Sequence, residues 1–194
     1  MSYSLTEDFE EVQGLLAARL QPPSTHAYLR LLHGRGGSVE AVRDWHIDQL
    51  GDVLLVVAYR AAPWADVWLE QLSVWAESQG LSALWLQRRY EPRAPMSSLW
   101  GDDVPNAKTI QEAGLRYELR FGNQNIGLFP DMAEGRRWVQ AASAGARVLN
   151  LFAYTCGFSV AAVAGGAAQV VNMDMSKSSL AWGRKNHQLN VQPA

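Results

Sequence analysis

RVLNLFAYTCGFSVAAVAGGAAQVVNMDMS, running from Arg147 to Ser176, reads as one strand–turn–helix–strand unit. Arg147 to Phe152 is a short apolar run of the kind that parallel sheets bury. Tyr154-Thr155-Cys156-Gly157 supplies a turn, and Phe158 to Ala164 a helix of small residues stopped by Gly165-Gly166. Gln169 to Met173 is a second apolar strand with Asp174 at its tip. An acid at roughly this interval after a tight glycine-containing turn is the arrangement that holds an adenosine ribose in doubly wound folds. The turn lets backbone N–H groups approach a ligand, and the carboxylate accepts hydrogen bonds from the two ribose hydroxyls. Asp174 has a plainer use too, as a cap for the helix that starts near Ser176 and ends near Asn190, a helix that Ser176 itself can cap.

The turn lacks the GxGxxG pattern that lets backbone close on a pyrophosphate. That disfavours NAD and an oxidoreductase. A nucleoside without phosphate, such as S-adenosylmethionine, needs no such glycines.

Three stretches carry a resemblance: NQNIGLFPDMAEGRRWV (Asn123–Val139), VLNLFAYTCGFSV (Val148–Val160) and VVNMDMSKSSLAWGRKNHQLN (Val170–Asn190). In this order they resemble the class I S-adenosylmethionine-dependent methyltransferases that modify 23S ribosomal RNA. LLHGRGG (Leu31–Gly37) and LQRRY (Leu86–Tyr90) resemble the smaller domain of the same family. The resemblance implies an α/β fold, with a small N-terminal α+β domain over 1–108 leading by a linker to 109–194. That second part would hold a hairpin and the first part of a Rossmann-like methyltransferase sheet. It implies S-adenosylmethionine as cofactor, bound by Phe129, Asp131, Arg136, Arg137, Asn150, Phe152, Tyr154, Thr155, Gly157, Asp174 and Met175. Asp131 would face the ammonium of the methionine end, and Arg136 or Arg137 its carboxylate, with Arg147 as the alternative. Met175 would lie against adenine; an ordinary core methionine reads the same way.

Two departures from the family pattern matter. Cys156-Gly157 stands where many members have two glycines. The catalytic Asp/Asn-Pro-Pro-aromatic segment has no counterpart in these 194 residues, so the expectation is the front part of an enzyme whose catalytic residues are unassigned. The alternative is a non-catalytic fragment that binds RNA or a partner. A sheet edge left free beside the second strand would need a cover, and a homodimer is one means. Cys156, the lone thiol, sits in the cofactor turn and reads as a small buried residue rather than a nucleophile.

A net charge of −2 exerts no general pull on nucleic acid, so ribosomal RNA would have to be met by local groups such as Arg88, Arg89, Arg93, Arg116 and Arg120. One cysteine suits a reducing cytoplasm. The first residues lack the basic and apolar regions of a signal peptide, and no apolar run is long enough to span a bilayer. Eight tryptophans suggest a large aromatic core, with stacking on RNA bases as the sharper alternative.

Toward the N-terminus, Leu5 to Leu20 is a helix with Thr6 as cap, Ala27 to His33 a strand, and HGRGG a tight glycine turn or an RNA-backbone loop. Val39 to Gln49 and Val53 to Tyr59 form a hairpin about Gly51. Pro63 to Gln79 is an amphipathic helix with Trp64, Val67, Trp68, Leu72 and Trp75 as its stripe, and Ser82 to Tyr90 a strand. Proline-rich Glu91 to Lys108 reads as a loop. Thr109 to Ala113 and Leu115 to Phe121 form a second hairpin, and Met132 to Ala142 a helix capped by Asp131. No histidine has a second ligand at metal-binding spacing.

Overall fold

Val53-Leu54-Leu55-Val56-Val57-Ala58 contains no polar residue, so a strand built from it must be covered on both faces. The computed structural model, which describes residues 5–36 and 39–190, buries all six of them. The chain divides into two units, Met1–Asn106 with Phe121–Gln124, and Ala107–Arg120 with Asn125–Ala194.

The first unit contains α1 (Leu5–Ala17), β1 (Tyr28–His33), β2 (Trp45–Leu50), β3 (Val53–Ala58), α2 (Ala65–Ser78), β4 (Ala83–Arg88) and β5 (Met96–Gly101). The strands form one sheet in the order β1-β2-β3-β4-β5. Only β3 and β4 run parallel, because α2 carries the chain back between them. Trp45, Trp68 and Trp85 are fully buried, and Phe9 meets Trp68 edge-on at 5.3 Å, so these tryptophans are core. Polar Asp48 and Gln49 are buried in β2, but each is paired: Asp48 with Arg30 at 2.8 Å, and Gln49 with Gln21 O and Gly51 O, both at 2.7 Å.

Several expectations need correction here. The stretch read as a loop contains β5, a partly exposed edge strand whose proline-flanked sequence carries little hydrophobic alternation. The strand expected from Val39 starts only at Trp45, and Glu40–Val42 is a 3-10 turn instead. In α2 the stripe is rotated: Leu69 and Ala76 face the core, whereas Val67 is exposed. A Cβ at Gly34 would lie 1.8 Å from Val42 O, so close packing explains that glycine of HGRGG; Gly37 lies outside the described residues, as does the side chain of Thr6.

The second unit opens with the hairpin β6 (Ala107–Glu112) and β7 (Leu115–Arg120). It continues through α3 (Ala133–Ala142), β8 (Arg147–Leu151), α4 (Gly157–Ala164), β9 (Gln169–Met173) and α5 (Lys177–Gln188). β8 and β9 pair in parallel from Arg147↔Gln169 to Leu151↔Met173. They form a separate two-stranded sheet, and α4 packs on it. Val148, Asn150, Val170 and Asn172 are partly buried. The alternate positions are not: Leu149, Leu151, Val171 and Met173 are 59, 54, 45 and 55% exposed. The expected buried strand is thus covered on one side only.

α5 covers the outer edge of β7 with side chains spaced by four residues. Trp182 Nε1 donates to Glu118 O at 2.9 Å, and Asn186 Oδ1 accepts from Glu118 N at 2.9 Å. Asn190 then accepts from Arg116 N and donates to Arg116 O, both at 2.8 Å. Trp182 and Asn186 of α5, with Asn190 just past its end, thereby do what a neighbouring strand would do.

Candidate cofactor-binding site

Parallel pairing brings the turn after β8 and the tip of β9 to the same end of the sheet, where doubly wound folds bind ligands. Asp174 joins them. Its Oδ2 accepts from Tyr154 N and its Oδ1 from Ser176 N, both at 2.8 Å. Those bonds, Ser176's first and then Tyr154's, hold the carboxyl below the usual aspartate range. Asp174 therefore stays ionised, with lone pairs remaining on both oxygens. It does not itself cap α5: the Ser176 side chain does, accepting from Ser179 N at 3.1 Å.

The turn is strained. Phe152, Tyr154 and Cys156 have φ of 54°, 47° and 61°, left-handed values that disfavour side chains. Packing holds them there. Thr155 is buried, with its hydroxyl donating to Gly127 O and its carbonyl accepting from Asn186 Nδ2 at 2.9 Å. Tyr154 OH donates to Asn125 O at 3.1 Å. Cys156, buried as expected, presses on α5 so closely that a Cβ at Gly183 would lie 2.2 Å from its Sγ. Burial raises the pKa of this thiol, chiefly by desolvation.

Two hollows adjoin along Leu151 and Phe152. The larger, about 500 Å³, lies among Leu151, Asn172, Met173, Asp174, Met175 and Leu180. Its apolar wall ends in Phe152 and Met175, 90 and 100% exposed, which is the wrong environment for a core methionine. The smaller, about 170 Å³, brings together Phe129, Arg136, Asn150, Tyr154, Thr155 and Gly157. Asn150 Nδ2 donates to Asn172 Oδ1 at 2.9 Å, linking the two strands beneath both hollows.

The structure thus gathers nine of the sequence-derived residues around these hollows, Phe129, Arg136, Asn150, Phe152, Tyr154, Thr155, Gly157, Asp174 and Met175. Asp131 and Arg137 do not line either one. Asp131 is exposed in the 3-10 turn Pro130–Met132, and α3 takes Met132 as its N-cap with no side-chain cap bond, so the expected capping role is corrected. Arg137 pairs on the surface with Glu134. Arg136 lines the smaller hollow, but its guanidinium is buried against Glu112, Nε–Oε1 2.6 Å and Nη2–Oε2 2.7 Å. It also donates to Phe129 O at 2.9 Å. Its charge is matched from within. Arg147 begins β8, at the opposite end of the strand, with Gln169 3.0 Å away. Sequence reading missed Leu151, Asn172, Met173 and Leu180, although three of these adjoin the strand tips. It also missed Asn125, Gly127 and Asn186, whose supporting bonds are made across 28 to 31 residues of chain.

Comparison with known proteins agrees with this geometry. Residues 29–193 match the model of a family described as S-adenosylmethionine-dependent methyltransferase. Ribosomal RNA large subunit methyltransferase K/L of Hahella chejuensis is 37% identical over 108 residues, 55% of this chain and 15% of that protein. Ribosomal RNA large subunit methyltransferase of Deinococcus radiodurans is 39% identical over 94 residues, 47% of this chain and 23% of that protein. Among solved structures, a Streptococcus mutans protein described as a SAM-dependent methyltransferase superposes with a TM-score of 0.74 at 26% identity. That superposition covers 98% of this chain and 50% of the other. The chain therefore spans about half the length of this solved relative and less than a quarter of these two curated ones. Because the family match runs from residue 29 to residue 193 of 194, the chain belongs to the S-adenosylmethionine-dependent methyltransferases.

Proposed function

We propose that this chain forms the cofactor-binding front of an enzyme that methylates large-subunit ribosomal RNA in a reducing cytoplasm. The observation that carries the reading is the ionised Asp174 carboxylate, fixed by Tyr154 N and Ser176 N between two parallel strand ends. The site's chemistry fits a phosphate-free adenosine compound: one acid for a ribose, an apolar hollow beside it, and no glycine-rich phosphate cradle in the turn. S-adenosylmethionine supplies an electrophilic methyl group when bound. Asp174 would hold the ribose hydroxyls, Met175, Leu180 and Phe152 would flank the adenine, and Tyr154, Thr155 and Gly157 would shape the methionine end. Arg136 supports Phe129 and the hollow rather than a ligand carboxylate. These residues would position the donor, a main task of the protein in methyl transfer. The large-subunit rRNA methyltransferases of Hahella and Deinococcus support RNA as the acceptor.

Calorimetric titration with S-adenosylmethionine tests the cofactor reading. Asp174→Ala should weaken binding about 10- to 100-fold, the loss expected for charge-assisted hydrogen bonds. Because the folded-state pKa of Asp174 is depressed, binding should hold steady as pH drops from 8 to 5. It should weaken only on acidification through that depressed value. No heat and no rise in melting temperature with S-adenosylmethionine would defeat the reading; NAD should have no effect. A second reading, binding without methyl transfer, draws on the lining. Asp174 is the one carboxylate among the described lining residues, and both its oxygens already accept hydrogen bonds. Incorporation of labelled methyl into deproteinised large-subunit rRNA separates the two.

A further inference from the structure

A cationic aromatic cluster lies in the first unit, built from residues that the cofactor site does not use. His33 and His46 face each other across β1 and β2, their rings 4.5 Å apart and tilted by 30°. His46 is buried, and its Nδ1 lies 3.4 Å from the Tyr59 hydroxyl. Its Nε2 has no partner among the described residues. The Tyr59 ring carries two guanidinium groups, Arg35 at 4.6 Å and Arg89 at 5.5 Å from its centroid. Arg30, beside them, is matched by Asp48 at 2.8 Å. Burial, followed by Arg30, His33, Arg35 and Arg89, lowers the pKa of His46 to about 3. None of those influences is a carboxylate. The buried imidazole is therefore neutral near pH 7, and the positive potential comes from the arginines around it.

We propose that His33, Arg35, Tyr59 and Arg89 form a site for the phosphodiester backbone of RNA. The inference rests on the reading of RNA as substrate and gives that substrate one point of attachment. A planar guanidinium held over an aromatic ring has lost part of its rotamer freedom before a ligand arrives, and its N–H fork matches two phosphate oxygens. Exposed His33 adds an imidazole donor at the rim. Since the chain carries a net charge of −2, attraction for a polyanion has to be local, and this cluster supplies it.

The test is fluorescence anisotropy of the whole chain with a labelled, unstructured oligoribonucleotide, across a salt series from about 50 to 200 mM. Arg35→Gln with Arg89→Gln should weaken binding at least severalfold. The double change should also flatten the dependence of log affinity on log salt by about 0.7 for each phosphate that is no longer neutralised. Arg35→Lys should retain the slope. Arg43→Gln, which removes a surface ion-pair partner of Glu40, should change neither quantity. If the double variant binds RNA with the wild-type affinity and slope while its melting temperature is unchanged, the site is wrong and the RNA reading stands. If the wild-type chain binds no RNA, both fail. Competition by polyglutamate as effective as competition by unlabelled RNA would also overturn the proposal, in favour of an acidic protein partner.

Discussion

β3 and β9 are both short apolar strands in parallel pairs, and they meet opposite fates. All six residues of β3 are buried: the five-stranded sheet supplies a neighbour at each edge, and Leu54, Val56 and Ala58 enter the hydrophobic core of the first unit. β9 has β8 on one edge and α4 on one face, while Val171 and Met173 stay open on the other face. Similar side chains thus stabilise one unit strongly and the other little, since burial rather than composition sets their contribution. The difference also separates two tasks. The covered sheet is a scaffold, and the open one presents its strand ends and an apolar wall to the hollows beside Asp174.

The largest test of this contrast lies beneath the site. Glu112→Ala would leave Arg136 charged and buried without its partner, a loss of about 3–5 kcal/mol. Chemical denaturation should show the second unit melting first. Next comes Leu54→Ala in fully buried β3, expected to cost about 2–5 kcal/mol. Tryptophan fluorescence should report it, because Trp45, Trp68 and Trp85 all belong to that unit's core.

An intermediate effect is expected from pH. His46 titrates near its ordinary 6.5 when unfolded and at about 3 when folded. Between those values the unfolded state binds the extra proton, so the first unit should lose stability as pH falls through that window. His46→Phe should flatten the pH profile, and an unchanged profile would show that another group is responsible. Leu149→Ala on the open face of β8 should have the smallest effect, within about 1 kcal/mol. A loss as large as that of Leu54→Ala would mean that this face is covered in solution and would erase the contrast.

The order of elements in the second unit is legible from local chemistry. Gly165-Gly166 stops α4, Ser176 caps α5, and β9 spans Gln169–Met173 as the apolar run predicts. Asp174 is legible for the same reason, since an acid at a strand tip after a glycine turn is a pattern of spacing. β5 is not, because an edge strand needs little hydrophobic alternation and becomes a strand only by pairing with β4. The roles of the charged residues near Phe129 are equally hidden. Nothing near Arg136 in the chain shows that Glu112, 24 residues earlier, would take its guanidinium, or that Arg137 would turn to Glu134 instead.

Sequence alone therefore determined the strand–turn–helix–strand unit, its carboxylate and the type of ligand that the turn admits, because these follow from neighbours within one or two turns of chain. Tertiary structure alone decided which arginine is neutralised and which face of β8 and β9 stays open. It also decided that Trp182, Asn186 and Asn190 would close the edge of β7. Those outcomes depend on desolvation and hydrogen bonding between groups far apart in the chain, which local periodicity does not encode.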